Sequence, residues 1–120
     1  MINFTLLICV YAKENPAHFA ACLESIAAQT VLPDELVIVK DGQLTAELET
    51  VLQNLQLPIE VITVSLPENV TLGPARAEGV KAARNEWVAI MDSDDICRPD
   101  RFEKQIVCNP RHFANSLYPK

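Results

Sequence analysis

Three aspartates within four positions, Asp92, Asp94 and Asp95, form the densest chemical feature of this sequence. Carboxylates this close repel one another and raise one another's proton affinity, a costly arrangement at a strand end unless something positive neutralises it. A divalent cation would do so. Hard oxygen donors suit Mg²⁺ or Mn²⁺, which bind one or two carboxylates and keep positions for water and phosphate oxygens. Diphosphate is then the natural co-ligand. The same residues also read as a solvated acidic turn capping the next helix. A calcium loop counted from Asp92 reaches Glu103 at its twelfth position, but Ile96 and Cys97 occupy its fifth position and its glycine position. Arg76 is the second informative residue. It falls on the apolar face of a predicted helix, near its start, where a phosphate would meet both the guanidinium and free backbone N–H groups. The alternative is that it snorkels to solvent or pairs with Glu78 or Glu68. Asp41 ends an apolar run, where a carboxylate can accept hydrogen bonds from a ribose or base, although Asp41-Gly42 by itself is simply a turn signal.

These groups need a scaffold, and the hydrophobic pattern supplies one. Phe4 to Val10 is a nearly continuous apolar run, as in a central strand covered on both faces. Asn15 and Pro16 open a helix whose apolar face is Phe19, Cys22, Leu23 and Ile26. A second buried strand, Leu36 to Val39, ends at the Asp41-Gly42 turn, and Thr45 caps a helix with the stripe Leu48, Val51, Leu52 and Leu55, ending by Pro58. A third strand, Ile59 to Val64, carries Glu60 and Thr63, as expected nearer a sheet edge. Leu72, Ala75, Gly79, Val80 and Ala83 make a third helical stripe, Trp87 to Met91 a fourth strand, and a last short helix begins near Pro99. Strands alternating with helices predict an α/β fold with an open, mostly parallel, doubly wound sheet of about four strands. In such sheets ligands bind beyond the carboxyl ends of the strands where the winding reverses, which would gather Tyr11, Asp41 and the acidic cluster. Residues 1–106 read as the one domain and residues 107–120 as an irregular tail.

Composition narrows the function classes. At 120 residues, 49% hydrophobic, the chain holds one core and no second domain. A formal charge of -6 offers no electrostatic footprint for nucleic acid. The run at Phe4–Val10 is too short to span a membrane, and no basic region or cleavage site surrounds it, so the expectation is a soluble, cytoplasmic protein. Cys9, Cys22, Cys97 and Cys108 include no close pair, and Cys9 and Cys22, inside apolar stretches, read as buried reduced thiols. His18 and His112 have no neighbouring ligand set. No GxGxxG follows the first strand, and the acidic cluster follows the fourth strand rather than the first, which argues against a dinucleotide enzyme and a phosphoacceptor receiver.

In order, Ile8-Cys9-Val10-Tyr11, Ser25-Ile26-Ala27-Ala28-Gln29-Thr30, Val37-Ile38-Val39-Lys40-Asp41-Gly42, Asn69 to Gly79 and Asp92-Ser93-Asp94-Asp95 resemble the motifs of the family 2 glycosyltransferases over about residues 3 to 106. The resemblance implies the nucleotide-sugar-binding half of a GT-A fold. It places Tyr11 and the backbone around Val10 at the nucleotide, Asp41 at the base or ribose, and Arg76 near the diphosphate or donor sugar. Asp92 and Asp94 match the DxD element, Asp94 as ligand of the Mn²⁺ or Mg²⁺ and Asp92 at ribose, sugar or metal, with Asp95 supporting the cluster. The implied reaction is displacement at the anomeric carbon of a nucleotide sugar, a UDP-sugar being the first expectation, toward an unknown glycan or lipid acceptor, with the metal stabilising the departing nucleoside diphosphate.

The sequence departs from the family pattern at Lys40, where an aspartate is usual, at Thr71, which replaces a common glycine, and at Ala77, which replaces an asparagine. The family's acceptor half and its general base lie downstream of the DxD element. Glu103 is the nearby carboxylate that might be proposed as that base, and it reads as a solvated helix residue. The expectation is therefore a donor-binding half, a fragment or truncated gene product, inactive alone. The alternative is a non-catalytic nucleotide-binding or protein-interaction module that self-associates through an exposed apolar edge.

Overall fold

The computed structural model describes residues 3–108 and 117–119. Four parallel strands form the sheet: β1 (Phe4–Val10), β2 (Glu35–Lys40), β3 (Glu60–Ser65) and β4 (Trp87–Asp92). They lie in the order β3-β2-β1-β4, so β1 is central and the winding reverses between β1 and β4. A short fifth strand, β5 (Leu117–Pro119), pairs antiparallel with β4. It lies in the stretch read above as an irregular tail, in which Val107 and Cys108 also prolong a helix. Residues 109–116 of that stretch lie outside the described residues. Three residues are too few to show a strand period, and the pairing is set by the neighbouring edge of β4.

The helices α1 (Pro16–Ala27), α2 (Ala46–Gln53), α3 (Leu72–Ala82) and α4 (Arg101–Cys108) follow the four parallel strands in turn. Asn15 caps α1 by accepting from Ala17 N and His18 N, with Pro16 in the first turn, where its missing N–H is no loss. Thr45 caps α2 by accepting from Leu48 N. One face of the sheet is covered by α1, α2 and α4. Phe19, Cys22, Leu23 and Ile26 of α1, Leu48 of α2 and Phe102 of α4 pack there on Phe4, Leu6, Ile8, Val10, Leu36 and Ile38. Phe4 and Phe102 meet edge to face at 5.2 Å. The other face is covered by α3, through Ala75 on Leu7, Val37 and Val39.

Gly79 lets α3 approach the sheet closely, because a Cβ there would lie 2.3 Å from Leu7 Cδ1 and 2.8 Å from Val39 Cγ2. The predicted α3 stripe needs one correction. Ala75, Gly79 and Ala83 are buried, but Leu72 is 47% exposed, since the first turn of the helix overhangs the ends of the strands. At the opposite margin β3 is the edge strand and presents Glu60, Val61, Thr63 and Ser65 to solvent. Its large exposed apolar residue is Val61.

A polar network closes the amino ends of the strands. Buried Glu35 Oε1 accepts from Thr5 Oγ1 and from Arg84 N, both at 2.6 Å. Nothing in the local pattern marks Glu35 as buried. The network keeps the far end of the sheet shut and leaves the carboxyl ends of the strands as the open side.

Candidate functional site

Three strand ends and two loops enclose a cleft of about 500 Å³ at the reversal point between β1 and β4. β1 contributes Cys9 and Val10, with Tyr11, Lys13 and Glu14 in the turn that follows. β2 ends at Asp41, the loop before α3 supplies Asn69 and Thr71, and β4 ends at Asp92, Ser93 and Asp94. Val10, Tyr11, Asp41, Asp92 and Asp94, singled out from the sequence, thus line one cavity. The register explains the convergence, since Cys9 pairs with Asp92 on one side and with Val39 on the other.

The acidic residues meet closely. Carboxylate oxygens of Asp92, Asp94 and Asp95 lie within 4.8 Å of one another, and all three side chains are exposed. Arg76 comes from α3, on the sheet face away from α1, α2 and α4, and donates from Nη2 to Asp92 Oδ1 at 3.1 Å. Its partner is therefore neither Glu78 nor Glu68. Arg76 Nε is buried and has no hydrogen-bond partner among the described residues, so the guanidinium keeps an unused donor. Asp95 does not line the cleft but turns to its far rim, beside a second cavity.

Asp41 is buried and is used structurally. Its Oδ1 accepts from Val70 N at 2.7 Å, and its carbonyl accepts from Asn69 Nδ2 at 3.5 Å. The loop before α3 is thereby folded onto the β2 turn, so tightly that a Cβ on Gly42 would lie 2.9 Å from Asn69 N. Gly42 has φ +88°, which glycine adopts freely. Thr71 takes φ 72° and ψ 168°, a region open essentially to glycine alone. A β-branched residue is thus held under strain here, at the position where the resemblance led to the expectation of a glycine, with its amide donating to Asn69 Oδ1. Lys40 points away from the cleft and pairs with Glu49 of α2 at 2.9 Å, so this departure adds no charge to the site.

Residues that sequence reasoning did not assign to the site tie the acidic rim down. Ser93, between the first two aspartates, donates its hydroxyl to the Glu14 carboxylate. The end of α1 grips the loop beyond: Cys97 N donates to Ser25 Oγ at 3.1 Å, Gln29 Nε2 to the Arg98 carbonyl at 2.6 Å, and Thr30 N to the Pro99 carbonyl at 2.8 Å. The Ser25-to-Thr30 motif therefore positions the acidic rim. Lys13 and Glu14 follow the central strand directly, and the rule that ligands bind beyond strand ends was the signal available for them. Glu103 Oε2 accepts from Thr30 Oγ1, a helix residue occupied on the surface.

The charge of the cleft is lopsided. Glu14, Asp41, Asp92 and Asp94 face it against Lys13, with Arg76 engaged behind Asp92. Burial pushes the Cys9 thiol up to about 11, partly offset by Arg76, and the Cys22 thiol beneath the rim up to about 12. These are neutral sulfhydryls, not nucleophiles.

An open α/β sheet with an acidic rim at its winding reversal defines a nucleotide-binding type of architecture. Comparison with known proteins makes the assignment specific. The model of glycosyl transferase family 2 matches residues 5–107. An uncharacterized glycosyltransferase of Haemophilus influenzae is 43% identical over 117 residues, covering 98% of this chain and 44% of that protein. The UDP-Gal:alpha-D-GlcNAc-diphosphoundecaprenol beta-1,3-galactosyltransferase of Escherichia coli is 36% identical over 84% of this chain and 37% of its own length. The structure of S. aureus TarS 1-349 in complex with UDP-GlcNAc superposes with a TM-score of 0.77 at 22% identity, over 93% of this chain and 32% of that one. The chain belongs to glycosyl transferase family 2. It spans less than half the length of these relatives.

Proposed function

We propose that this chain provides the donor side of a glycosyltransferase that moves a sugar from a nucleoside diphosphate to a glycan or lipid acceptor. The observation that carries the reading is the charge imbalance of the cleft, in which four carboxylates face one lysine. A diphosphate entering such a site is repelled unless a cation accompanies it. Asp92, Asp94 and Asp95 fit a Mn²⁺ or Mg²⁺ ion by donor chemistry, since all offer hard oxygens and these cluster within 4.8 Å. When bound, that ion supplies charge compensation for the departing nucleoside diphosphate. Asp94, which faces the cleft, would be the principal ligand of that ion, Asp92, already paired with Arg76, would stand beside it, and Asp95 would support the cluster from its rim.

The chain's own residues do the rest. Tyr11 and the Val10 backbone flank the nucleoside, the unused side of Asp41 faces the ribose or base, and the guanidinium of Arg76, held behind Asp92, adds positive charge on the diphosphate or donor-sugar side of the rim. A uridine nucleotide is the preferred donor carrier, supported by UDP-GlcNAc in the TarS structure and UDP-Gal in the name of the E. coli relative. More than half of each of these relatives lies outside the matched stretch, and we place the acceptor subsite and the general base of the family there. The free thiols Cys9, Cys22 and Cys97 support a reducing, cytoplasmic setting. No described helix is long and apolar enough to cross a membrane.

Isothermal titration of the chain with UDP, with Mn²⁺ and with EDTA, tests the reading. Binding should need the cation, and Asp94→Ala should weaken it at least tenfold while leaving the circular dichroism spectrum intact. Failure of every nucleoside diphosphate to bind in a cation-dependent way would overturn it.

A further inference from the structure

A second cavity of about 500 Å³ adjoins the acidic rim on the side away from the donor cleft. Its walls carry Arg98, Arg101 and Lys104, three of the ten basic residues of a chain whose formal charge is -6. Carboxylates only partly answer them. Asp100 serves two, lying 3.2 Å from Lys104 Nζ and 3.9 Å from Arg98 Nε, and its acidity is increased chiefly by the hydrogen bond from Lys104. Arg101 has no carboxylate partner among the described residues. Its Nη1 donates to Cys97 Sγ at 3.0 Å, and its guanidinium stacks over the Phe102 ring. The other acid on the wall, Asp95, belongs to the triad. Cation binding to that triad would withdraw Asp95 and leave the cavity more positive.

The cavity is pre-formed, because the backbone of 97–99 is pinned to Ser25 of α1 and to Gln29 and Thr30 in the turn that follows it. It also stands beside the donor cleft. Asp94 lines one cavity and Asp95 the other, and their carboxylate oxygens lie within 4.8 Å of each other. Ile96, 71% exposed, stands on the lip of the second cavity.

We propose that this cavity binds the phosphate or diphosphate group of a phosphate-bearing acceptor, holding its sugar within reach of the donor cleft. The guanidinium of Arg101 and the ammonium of Lys104 contact the phosphate oxygens, Arg98 closes the mouth, and Ile96 covers the apolar part of the ligand. The acceptor role rests on the donor reading above, whereas the anion site itself does not.

The test is calorimetric titration of the whole chain with inorganic pyrophosphate in EDTA at low ionic strength. Binding is expected, weakened at least tenfold in Arg101→Gln/Lys104→Gln and restored in part by Arg101→Lys/Lys104→Arg, which keeps the charge should the neutral variant fold poorly. Asp94→Ala, which removes cation-linked UDP binding, should retain metal-free pyrophosphate binding, so the two readings fail separately. Absence of metal-free binding, or binding indifferent to the Arg101 and Lys104 changes, would overturn the proposal. Glucose 1-phosphate and phosphatidylcholine vesicles with and without a polyprenyl phosphate then distinguish a soluble from a lipid-linked phosphate. Tighter binding of either phosphate by the wild type than by the double variant supports the site, and equal flotation with plain vesicles refutes the lipid source.

Discussion

Replacing Thr71 with glycine should stabilise this protein. Thr71 precedes α3 with φ 72° and ψ 168°, where a β-branched side chain crowds its own backbone. Such a conformation costs about 1–3 kcal/mol for a non-glycine residue. Glycine removes that cost but has more unfolded-state entropy to lose, returning about 0.5–1 kcal/mol. The Thr71 side chain makes no capping hydrogen bond, so little else is sacrificed. The net gain is about 0.5–2 kcal/mol, which for a chain of this length corresponds to a rise in Tm of about 2–8 °C. The control is Thr71→Ala, which keeps Cβ and hence most of the strain and should lie within about 0.5 kcal/mol of the parent. Urea unfolding with an unchanged m-value reads both variants. A glycine variant no more stable than the alanine variant would show that the backbone is not strained at this position.

Arg76→Gln should change the two binding reactions in opposite directions. Removing the guanidinium frees Asp92, so Mn²⁺ alone binds more tightly by electron paramagnetic resonance, while UDP with Mn²⁺ binds more weakly by calorimetry; a shared direction would disprove the dual role. Its effect on stability should stay below about 1 kcal/mol, because the pair is 33% and 59% exposed. Gly79→Ala should cost about 1–2 kcal/mol in urea, since overpacking against Leu7 and Val39 outweighs the gain in helix propensity, and an unaltered midpoint would mean that α3 stands farther from the sheet. Alkaline titration should expose the buried thiols. Burial raises Cys9 to about 11 and Cys22 to about 12 from 9.0, so the unfolded chain loses those protons first. Their contribution is complete below about pH 9 and disappears as pH rises toward 11–12. The fall of the urea midpoint over that range should be shallower in Cys22→Ala, and identical slopes would contradict the shift.

Local patterns carried much of this protein. The apolar runs at Phe4–Val10, Leu36–Val39 and Trp87–Met91 and the α1 face at Phe19, Cys22, Leu23 and Ile26 were legible because burial on both faces of a parallel sheet, or on one side of a helix, imposes a period that neighbouring residues express. Tyr11, Asp41, Asp92 and Asp94 could be assembled in advance because strand order and chain direction send the ends of β1, β2 and β4 to one side. Leu72 misled because a helical stripe does not record where the sheet beneath it stops.

The sequence alone determined the alternation of strands and helices and the acidic rim at one end of them, since these depend on residues close together in the chain. Tertiary structure alone decided that Arg76 reaches Asp92, that Ser93 leans on Glu14, that Asp41 folds the loop before α3, and that Thr71 is held at positive φ. The first three join residues from different segments and the last lies in the loop that Asp41 folds, so all follow from packing across the sheet, which no local period encodes.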